Sequence, residues 1–171
     1  HLGKLCHITT LSGYMHYLLT GENVLGVGDA AGMFPLSGGN YDRELAEKLD
    51  KKISAHGYDF KIFNLLPEIL FAGMAAGKLT DKGALLLDPS GNLQGGIPFC
   101  PPEGDAATGM VAVNAVTMGE GSVSAGTSAF AMLVTPNKPS EINRDVDIVA
   151  TPDGKNVAMI HVNNCCGELD A

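Results

Sequence analysis

Apolar side chains recur at helical spacing in two segments near the start of the chain. Residues 4–19 place leucine, tyrosine and methionine side chains three and four positions apart, and Thr20-Gly21 is a typical helix end. Residues 42–55 carry a clearer apolar stripe with acidic and basic residues four positions apart, and Gly57 ends the pattern. The stripe consists of Leu45, Leu49 and Ile53. We therefore predict helices over 4–19 and 42–55.

Shorter apolar stretches between turn residues predict strands and loops elsewhere. Residues 23–36 are expected to form an extended or loop stretch closed by Pro35, and residues 60–71 an extended segment. Paired stretches predict three β-hairpins: 84–87 with 93–97 across Asp88–Asn92, 122–127 with 129–135, and 146–150 with 157–162 across Pro152–Gly154.

The second part of the chain contains one predicted buried helix. Its small and apolar residues run from Ala106 to Met118 after Asp105, and residues 167–171 resemble the start of a further helix. A helix-rich first part followed by strands indicates an α/β chain with a boundary near residues 105–120.

The charge of the chain is acidic and unevenly distributed. Its 171 residues include 19 acidic and 11 basic side chains, a formal charge of −8, and 45% of the residues are apolar. Nucleic acids and anionic membranes require a basic face, so we expect neither as a partner. No apolar run approaches the roughly 20 residues of a membrane span. Lys and Arg are absent between Lys82 and Lys138. This fits a buried sheet with its helix, and equally a ligand site built from backbone N–H groups.

The four cysteines show no C-x-x-C spacing, and we expect reduced thiols in a cytoplasmic protein. His161 lies near Cys165-Cys166, and these side chains could bind a metal, but a zinc site usually has paired ligands at each end. Buried structural thiols are therefore favoured. His7 and His16 are expected to be ordinary helix residues.

One glycine-rich segment has the form of a nucleotide-binding motif. Gly26 to Ala31 matches G-x-G-x-x-A, a relaxed dinucleotide fingerprint that needs a following helix. Pro35 and Ser37-Gly38-Gly39 follow so closely that we predict a glycine-rich loop instead. A dinucleotide oxidoreductase would require a helix from residue 32 to beyond residue 40.

Asp105 has two interpretations. An Asp at a helix start is first of all an N-cap, and spacing alone favours that structural role. The same position, after Gly104, also directs a carboxylate into a cleft, where it could accept a proton from a substrate hydroxyl.

The segment Ser124 to Ala129 is a small-residue turn between two predicted strands. It is either a simple hairpin turn or an anion-binding nest of backbone N–H groups with the Thr127 hydroxyl. The chain contains no Walker A sequence and no G-x-S-x-G elbow, which argues against P-loop and hydrolase chemistry.

Several short segments, in order along nearly the whole chain, resemble the FGGY family of carbohydrate kinases. Each motif is weak alone, but their order and spacing are fairly specific. The segments are Ser12–Glu22, Gly28–Gly32, Tyr41–Leu45, Leu66–Ile69, Gly77–Thr80, Gly104–Ala107 and Gly126–Ser128. The resemblance implies a partial ribonuclease H-like (actin/hexokinase-like) α/β fold. Residues 1–105 would end the first, sugar-binding domain and residues 106–171 would begin the second, ATP-binding domain.

The resemblance also implies chemical roles. Asp105 would be the catalytic base and would contact the sugar, taking the proton from its hydroxyl as that hydroxyl attacks the γ-phosphate of ATP. Gly126, Thr127 and Ser128 would form the phosphate-binding turn, and Mg²⁺ would offset phosphate charge with Asp105 nearby. The expected partner is a small-molecule sugar, a ketose or related polyol, and a homodimer is an open expectation.

The chain departs from the family pattern at two places near Asp105. Many members have Gln or Asn after the base, where this chain has Ala106, so that contact with the substrate is lost. Pro101-Pro102-Glu103 before the Gly-Asp pair is unusual. The family's first phosphate loop and its adenosine-binding segment lie outside residues 1–171, so we expect a middle fragment that is inactive alone. The alternative is a non-catalytic ribonuclease H-like module that binds a nucleotide or sugar.

Overall fold

The computed structural model describes residues 4–137, 143–163 and 165, which form a mixed α/β arrangement. The helices are α1 (Leu11–Thr20), α2 (Val27–Met33), α3 (Arg43–Ala55), α4 (Asp81–Leu87) and α5 (Asp105–Ala112). The strands are β1 (Val24–Gly26), β2 (Leu36–Ser37), β3 (Asn40–Tyr41), β4 (Glu68–Leu70), β5 (Gly121–Ala125), β6 (Ala129–Val134), β7 (Asp147–Ala150) and β8 (Asn156–Val162). The predicted α/β class is confirmed. The predicted helix start at 167–171 lies outside the described residues.

The first part of the chain is built around one parallel strand pair. Strands β1 and β4 pair from Val24 opposite Glu68 to Gly26 opposite Leu70. Leu25, the central residue of β1, is fully buried and shares a core with Ala30 and Tyr41. This small core fixes α2 and the β2–β3 hairpin against the strand pair.

The first two predicted helices are confirmed, with one shorter than expected. Helix α1 begins only at Leu11, because the Thr10 side chain accepts a hydrogen bond from the Gly13 amide and caps the helix. Gly21, at φ 81°, ends it as predicted. In the described part of the chain, no helix has the length and apolar character needed to cross a membrane.

Helix α3 has the predicted bounds within one residue. Asp42 caps it by accepting a hydrogen bond from the Leu45 amide, and the predicted Glu44–Lys48 pair forms at 2.6 Å. Its buried residue is Ala46, whereas Leu45 of the predicted apolar stripe is 40% exposed. The helix therefore lies on the surface.

The prediction of a glycine-rich loop at Gly26 to Ala31 was wrong. Residues 27–33 form α2 directly after β1, with Gly26 as the N-cap. The helix stops at Met33, and the β2–β3 hairpin follows. The long helix that a dinucleotide oxidoreductase requires beyond residue 32 is therefore replaced by a hairpin, which excludes that hypothesis.

The predicted hairpin at 84–97 was also wrong. Residues 81–87 form α4, because the Thr80 hydroxyl accepts a hydrogen bond from the Gly83 amide and starts a helix. The turn at 88–92 is present, held by hydrogen bonds from backbone amides to the Asp88 carboxylate. The segment after this turn instead pairs with residues 77–79, through the Lys78–Pro98 bridge.

The second part of the chain is an antiparallel sheet with α5 packed on one face. Within the described residues the strand order is β5-β6-β8-β7, and both predicted hairpins are confirmed. Met110 of α5 is fully buried in the core. Helix α5 ends at Ala112 rather than at Met118, and Asn114 takes a left-handed conformation with φ 56°. The domain boundary between residues 105 and 106 stays a prediction.

Candidate active site

The segment that leads into α5 is hydrogen-bonded to the first part of the chain. The Phe99 amide donates to the Gly77 carbonyl, and the Ala76 amide donates to the Phe99 carbonyl, both at 3.0 Å. Further on, the Gly26 amide donates to the Pro102 carbonyl at 2.7 Å. The start of α5 is thereby held beside the junction of β1 and α2.

Glu103 extends this attachment through its side chain. Its two carboxylate oxygens accept hydrogen bonds from the backbone amides of Gly28 at 3.1 Å and Asp29 at 2.8 Å. These amides lie in the first turn of α2, where amides have no partner within the helix. Burial raises the pKa of Glu103, and the nearby charge of Asp29 adds to the rise, while the two amide hydrogen bonds oppose it. We call this arrangement the Glu103–α2 contact.

The glycines of the G-x-G segment leave space for this carboxylate. A Cβ atom at Gly26 would lie 2.3 Å from the carboxyl carbon of Glu103. A Cβ atom at Gly28 would lie 2.7 Å from Oε2 of Glu103 and 2.7 Å from the Ala107 side chain. Gly26 and Gly28 therefore leave space for the Glu103 carboxylate at the junction of β1 and α2.

Asp29 joins α1 to the same junction. The Thr10 hydroxyl donates to its Oδ2 atom at 2.7 Å, and the Ser12 hydroxyl donates to the same oxygen. A Cβ atom at Gly104 would lie 3.3 Å from Oδ1 of Asp29. The starts of α1, α2 and α5 thus meet around one carboxylate.

Asp105 is the first residue of α5 and is exposed. The prediction that it is an N-cap was wrong, because Gly104 occupies that position and makes no side-chain cap bond. Among the residues the structure describes, the Asp105 carboxylate has no hydrogen-bond or ion-pair partner. It lines a cavity of about 160 Å³, as does Asp29. A carboxylate in this state is available as a proton acceptor.

Ala106 lines the same cavity and also contacts the core. Its half-buried methyl group packs against the cluster around Met110, whose other members include Met132 on β6. The structure therefore brings Asp105 and Ala106 together at one cavity, between α5, the sheet and α2.

The turn at Gly126–Ser128 joins β5 to β6 and is exposed. The Gly126 amide donates to the Ser128 carbonyl at 2.9 Å, and the Cys165 amide donates to the Thr127 carbonyl at 2.9 Å. These residues form the predicted hairpin turn, but they do not line the cavity at Asp105. The Gly126 amide is occupied by an internal bond, so an anion would meet the Thr127 hydroxyl rather than this amide.

A larger cavity of about 670 Å³ lies between α1 and α5. Its lining is mostly apolar and includes Met15, Leu19, Phe99 and Val111. Glu103 also borders it. Its remaining polar side chains are Ser12, His16 and Thr108.

The histidines and cysteines form no metal centre in the described ranges. His161 faces Asp147 at 3.6 Å, with both side chains exposed, and no group of three or more potential ligands is present there. Cys165 is a half-buried free thiol, and Cys166 lies outside the described residues. His7 precedes α1, which contradicts its predicted helical place, whereas His16 lies within α1 and is buried.

Sequence reasoning missed the role of Glu103 and the hydroxyl partners of Asp29. The available signal was the unusual Pro101-Pro102-Glu103 segment directly before the Gly-Asp pair. Its meaning depends on a contact with α2, 74 and 75 positions away along the chain, which no local pattern encodes.

Comparison with solved structures defines the class of fold as that of sugar and polyol kinases. A xyloylose kinase from Brucella ovis matches with a TM-score of 0.76 and 19% identity, over 98% of this chain and 32% of that chain. A xylulose kinase from Bifidobacterium adolescentis matches with a TM-score of 0.71 and 22% identity, over 99% and 36%. A Plasmodium falciparum glycerol kinase with ADP matches with a TM-score of 0.70 and 16% identity, over 96% and 31%.

This chain therefore spans about a third of the length of the kinases that share its fold. The resemblance to FGGY carbohydrate kinases that the motifs indicated is confirmed at the level of the fold. No protein-family model and no curated protein matches the sequence.

Proposed function

We propose that this chain is the central part of an ATP-dependent sugar kinase of the FGGY family. Its substrate would be a ketose or a related polyol. Two lines of support are independent: the ordered motifs of the sequence, and the fold shared with xylulose and glycerol kinases. The observation that carries the proposal is Asp105, an exposed carboxylate at a cavity beside the start of α5, without a partner among the described residues.

In this proposal Asp105 is the general base. A substrate hydroxyl gives its proton to the Asp105 carboxylate while its oxygen bonds to the γ-phosphorus of ATP. The bond from that phosphorus to the bridging oxygen breaks, and ADP leaves. Phosphoryl transfer depends mainly on position and electrostatics. A base held at a helix start between two packed parts of the chain suits that requirement.

The Gly126–Ser128 turn is our candidate for contact with the phosphates of ATP. Its exposed Thr127 offers a hydroxyl donor near the start of β6. We assign residues 1–105 to a sugar-binding domain and residues 106–171 to an ATP-binding domain, both of the ribonuclease H-like type. The cleft between the two domains would then contain Asp105.

Magnesium would normally accompany ATP in such a reaction. The described residues offer no group of three or more acidic, histidine or cysteine side chains placed to hold a metal. We therefore assign no magnesium ligands among these residues.

Ala106 is the proposed substrate-contacting position after the base. A methyl group cannot donate or accept a hydrogen bond, so the sugar would have to be recognised by other groups. This predicts a substrate profile that differs from kinases with Gln or Asn at this position.

The test uses the full-length kinase polypeptide that contains this chain, with Asp105→Asn and a control, Asp59→Asn, at an exposed loop position. ADP release is measured with pentuloses, hexuloses, glycerol and sugar acids. We expect Asp105→Asn to lower kcat by about 10²–10⁴-fold on the best substrate and the control to keep normal turnover. Near-normal turnover of Asp105→Asn would overturn the base assignment. Absence of ADP release by the unmodified protein on every substrate would overturn the kinase proposal.

A further inference from the structure

We propose that Glu103 is a positioning residue for Asp105, holding the start of α5 against the first turn of α2. This inference rests on the proposed function. Glu103 does not touch the reacting atoms in this scheme. It acts through the backbone of Gly104, the single residue between Glu103 and Asp105.

Pro102 and Glu103 are both hydrogen-bonded to the junction of β1 and α2. The Pro102 carbonyl accepts from the Gly26 amide, and the Glu103 carboxylate accepts from the amides of Gly28 and Asp29. The Pro102 backbone and the Glu103 side chain therefore both hold the segment before α5 to the junction of β1 and α2. Gly104 alone separates Glu103 from Asp105. A Cβ atom at Gly104 would lie 3.3 Å from Oδ1 of Asp29.

The Glu103 side chain also fills the space beside Gly26. A Cβ atom at Gly26 would meet the Cγ, Cδ and Oε1 atoms of Glu103, and these are its three nearest neighbours. Gly26 has φ −66° and ψ 150°, a conformation that any residue adopts. A side chain at position 26 would therefore displace the Glu103 carboxylate, and the backbone conformation itself does not call for glycine.

Both hydrogen-bonding partners of the Glu103 side chain are N–H donors, and a carboxylate offers each of them its own acceptor oxygen. A glutamine would accept one amide and point its own NH₂ group at the other. Burial and the nearby charge of Asp29 raise the pKa of Glu103, and the two amide hydrogen bonds oppose that rise.

We expect loss of this contact to affect catalysis by changing the position of the Asp105 carboxylate. Displacement of a catalytic group by about 1 Å can cost about 10²-fold in rate. Loss of the Glu103–α2 contact frees the loop before α5 and moves the Asp105 carboxylate relative to the substrate. The effect should fall mainly on kcat, while sugar binding, to which groups other than Asp105 also contribute, changes less.

The main test is a double-mutant cycle in the full-length kinase, with Gly26→Ala, Glu103→Ala and the double variant. We expect each single variant to lower kcat about tenfold or more, with a smaller change in KM. In the Glu103→Ala background the methyl group added at position 26 no longer meets the glutamate, so Gly26→Ala should cost little further. Additive losses in kcat and in melting temperature would overturn the contact.

Gly28→Ala is the matched control for this cycle. Its Cβ would also meet the Ala107 side chain and, at 3.1 Å, the Ala150 carbonyl oxygen. Glu103→Ala therefore should not relieve its cost. Equal relief at Gly26 and Gly28 would mean a general loosening of the protein and would overturn the specific contact.

The Glu103→Gln variant distinguishes an effect on the position of Asp105 from an effect on the stability of the protein. Glutamine keeps the length of the side chain and one acceptor oxygen for an amide, so we expect a small change in melting temperature but a kcat lowered about tenfold. The control is Glu47→Gln, at an exposed position of α3. Unchanged kcat in Glu103→Gln, or a kcat loss matched by a fall in melting temperature, would overturn the positioning role. If Asp105→Asn stays active, the assignment of Asp105 as the base and the positioning role of Glu103 both fail. If Asp105→Asn is inactive while the Glu103 and Gly26 variants are normal, only the positioning role fails.

Discussion

The Nε2 atom of His16 lies 2.8 Å from the carbonyl oxygen of Ala76, 60 positions further along the chain. His16 is only 4% exposed, and its ring meets Phe99 edge-on at a centroid distance of 5.4 Å. The ring donates its Nε2 proton to the carbonyl and thereby ties α1 to the segment that supports the start of α5. Burial lowers the pKa of His16, although the hydrogen bond to Ala76 and the charge of Glu22 oppose the change.

The lowered pKa of His16 predicts a pH-dependent stability. In the unfolded chain His16 binds a proton below about pH 6.5, whereas the folded protein resists this until lower pH. The free energy of unfolding should therefore fall as pH drops from 7.5 to 5.5, by at most about 1.4 kcal/mol per pH unit from this group. Urea unfolding at each pH measures it. His16→Gln should flatten the slope, while His56→Gln, at an exposed position, should not. Equal slopes in all three proteins would contradict the prediction.

Gly83 in α4 packs directly on the backbone of α1. A Cβ atom there would lie 2.3 Å from the Leu19 carbonyl oxygen, which already accepts the Thr80 amide and hydroxyl. Alanine in a helix normally gains about 1 kcal/mol over glycine, but here we expect Gly83→Ala to destabilise by about 1–3 kcal/mol. Gly109→Ala in α5 meets nothing within 4 Å and should stabilise by about 0.5–1 kcal/mol. Chemical denaturation compares the two, and a gain from both would show that α1 and α4 are not in close contact.

Met110 joins α5 to the antiparallel sheet. It is fully buried with Met132, Val134 and Val157. Met110→Ala should lower the free energy of unfolding by about 2–5 kcal/mol, because it removes buried apolar volume. Met118→Ala, at a residue 58% exposed, should change it by less than about 0.5 kcal/mol. Similar losses from both variants, measured by urea unfolding, would contradict the packing of α5 on the sheet.

Thr127 provides the test of the turn proposed to contact ATP. Thr127→Val removes the hydroxyl while keeping the side-chain shape, and a hydrogen bond to a charged group contributes about 1.5–3 kcal/mol. We expect KM for ATP to rise about tenfold or more, with KM for the sugar unchanged. Ser124→Ala, exposed on β5 of the same hairpin, serves as the control. An unchanged KM for ATP in Thr127→Val would remove this turn from the phosphate site.

The elements that sequence analysis predicted well have their causes within a few residues. Helix α3 has a cap, the Glu44–Lys48 charge pair and a following glycine in its own segment, and the turn residues of 152–154 lie inside the hairpin that they form. Helices α2 and α4 were missed because each has only seven residues. Helices of that length are not stable alone, so contacts with the rest of the chain decide whether they form.

The candidate site shows the same division. The motif Gly104-Asp105 could be found in the sequence, yet spacing alone favoured a capping role over an exposed carboxylate. The tertiary structure decided between them, because Gly104 takes the cap position and leaves Asp105 without a partner in the described part of the chain. The phosphate-binding role of 126–128 stays a prediction.

By itself the sequence determined the acidic charge, the α/β class, the capped helices, the two hairpins of the second part and the order of the kinase-like motifs. Those features depend on residue type and on interactions over one or two helical turns or a tight turn. Only the tertiary structure decided what the glycines at 26 and 28 are for. They admit the Glu103 carboxylate to the start of α2. That role comes from the packing of two segments that are distant in the chain, so no local periodicity records it.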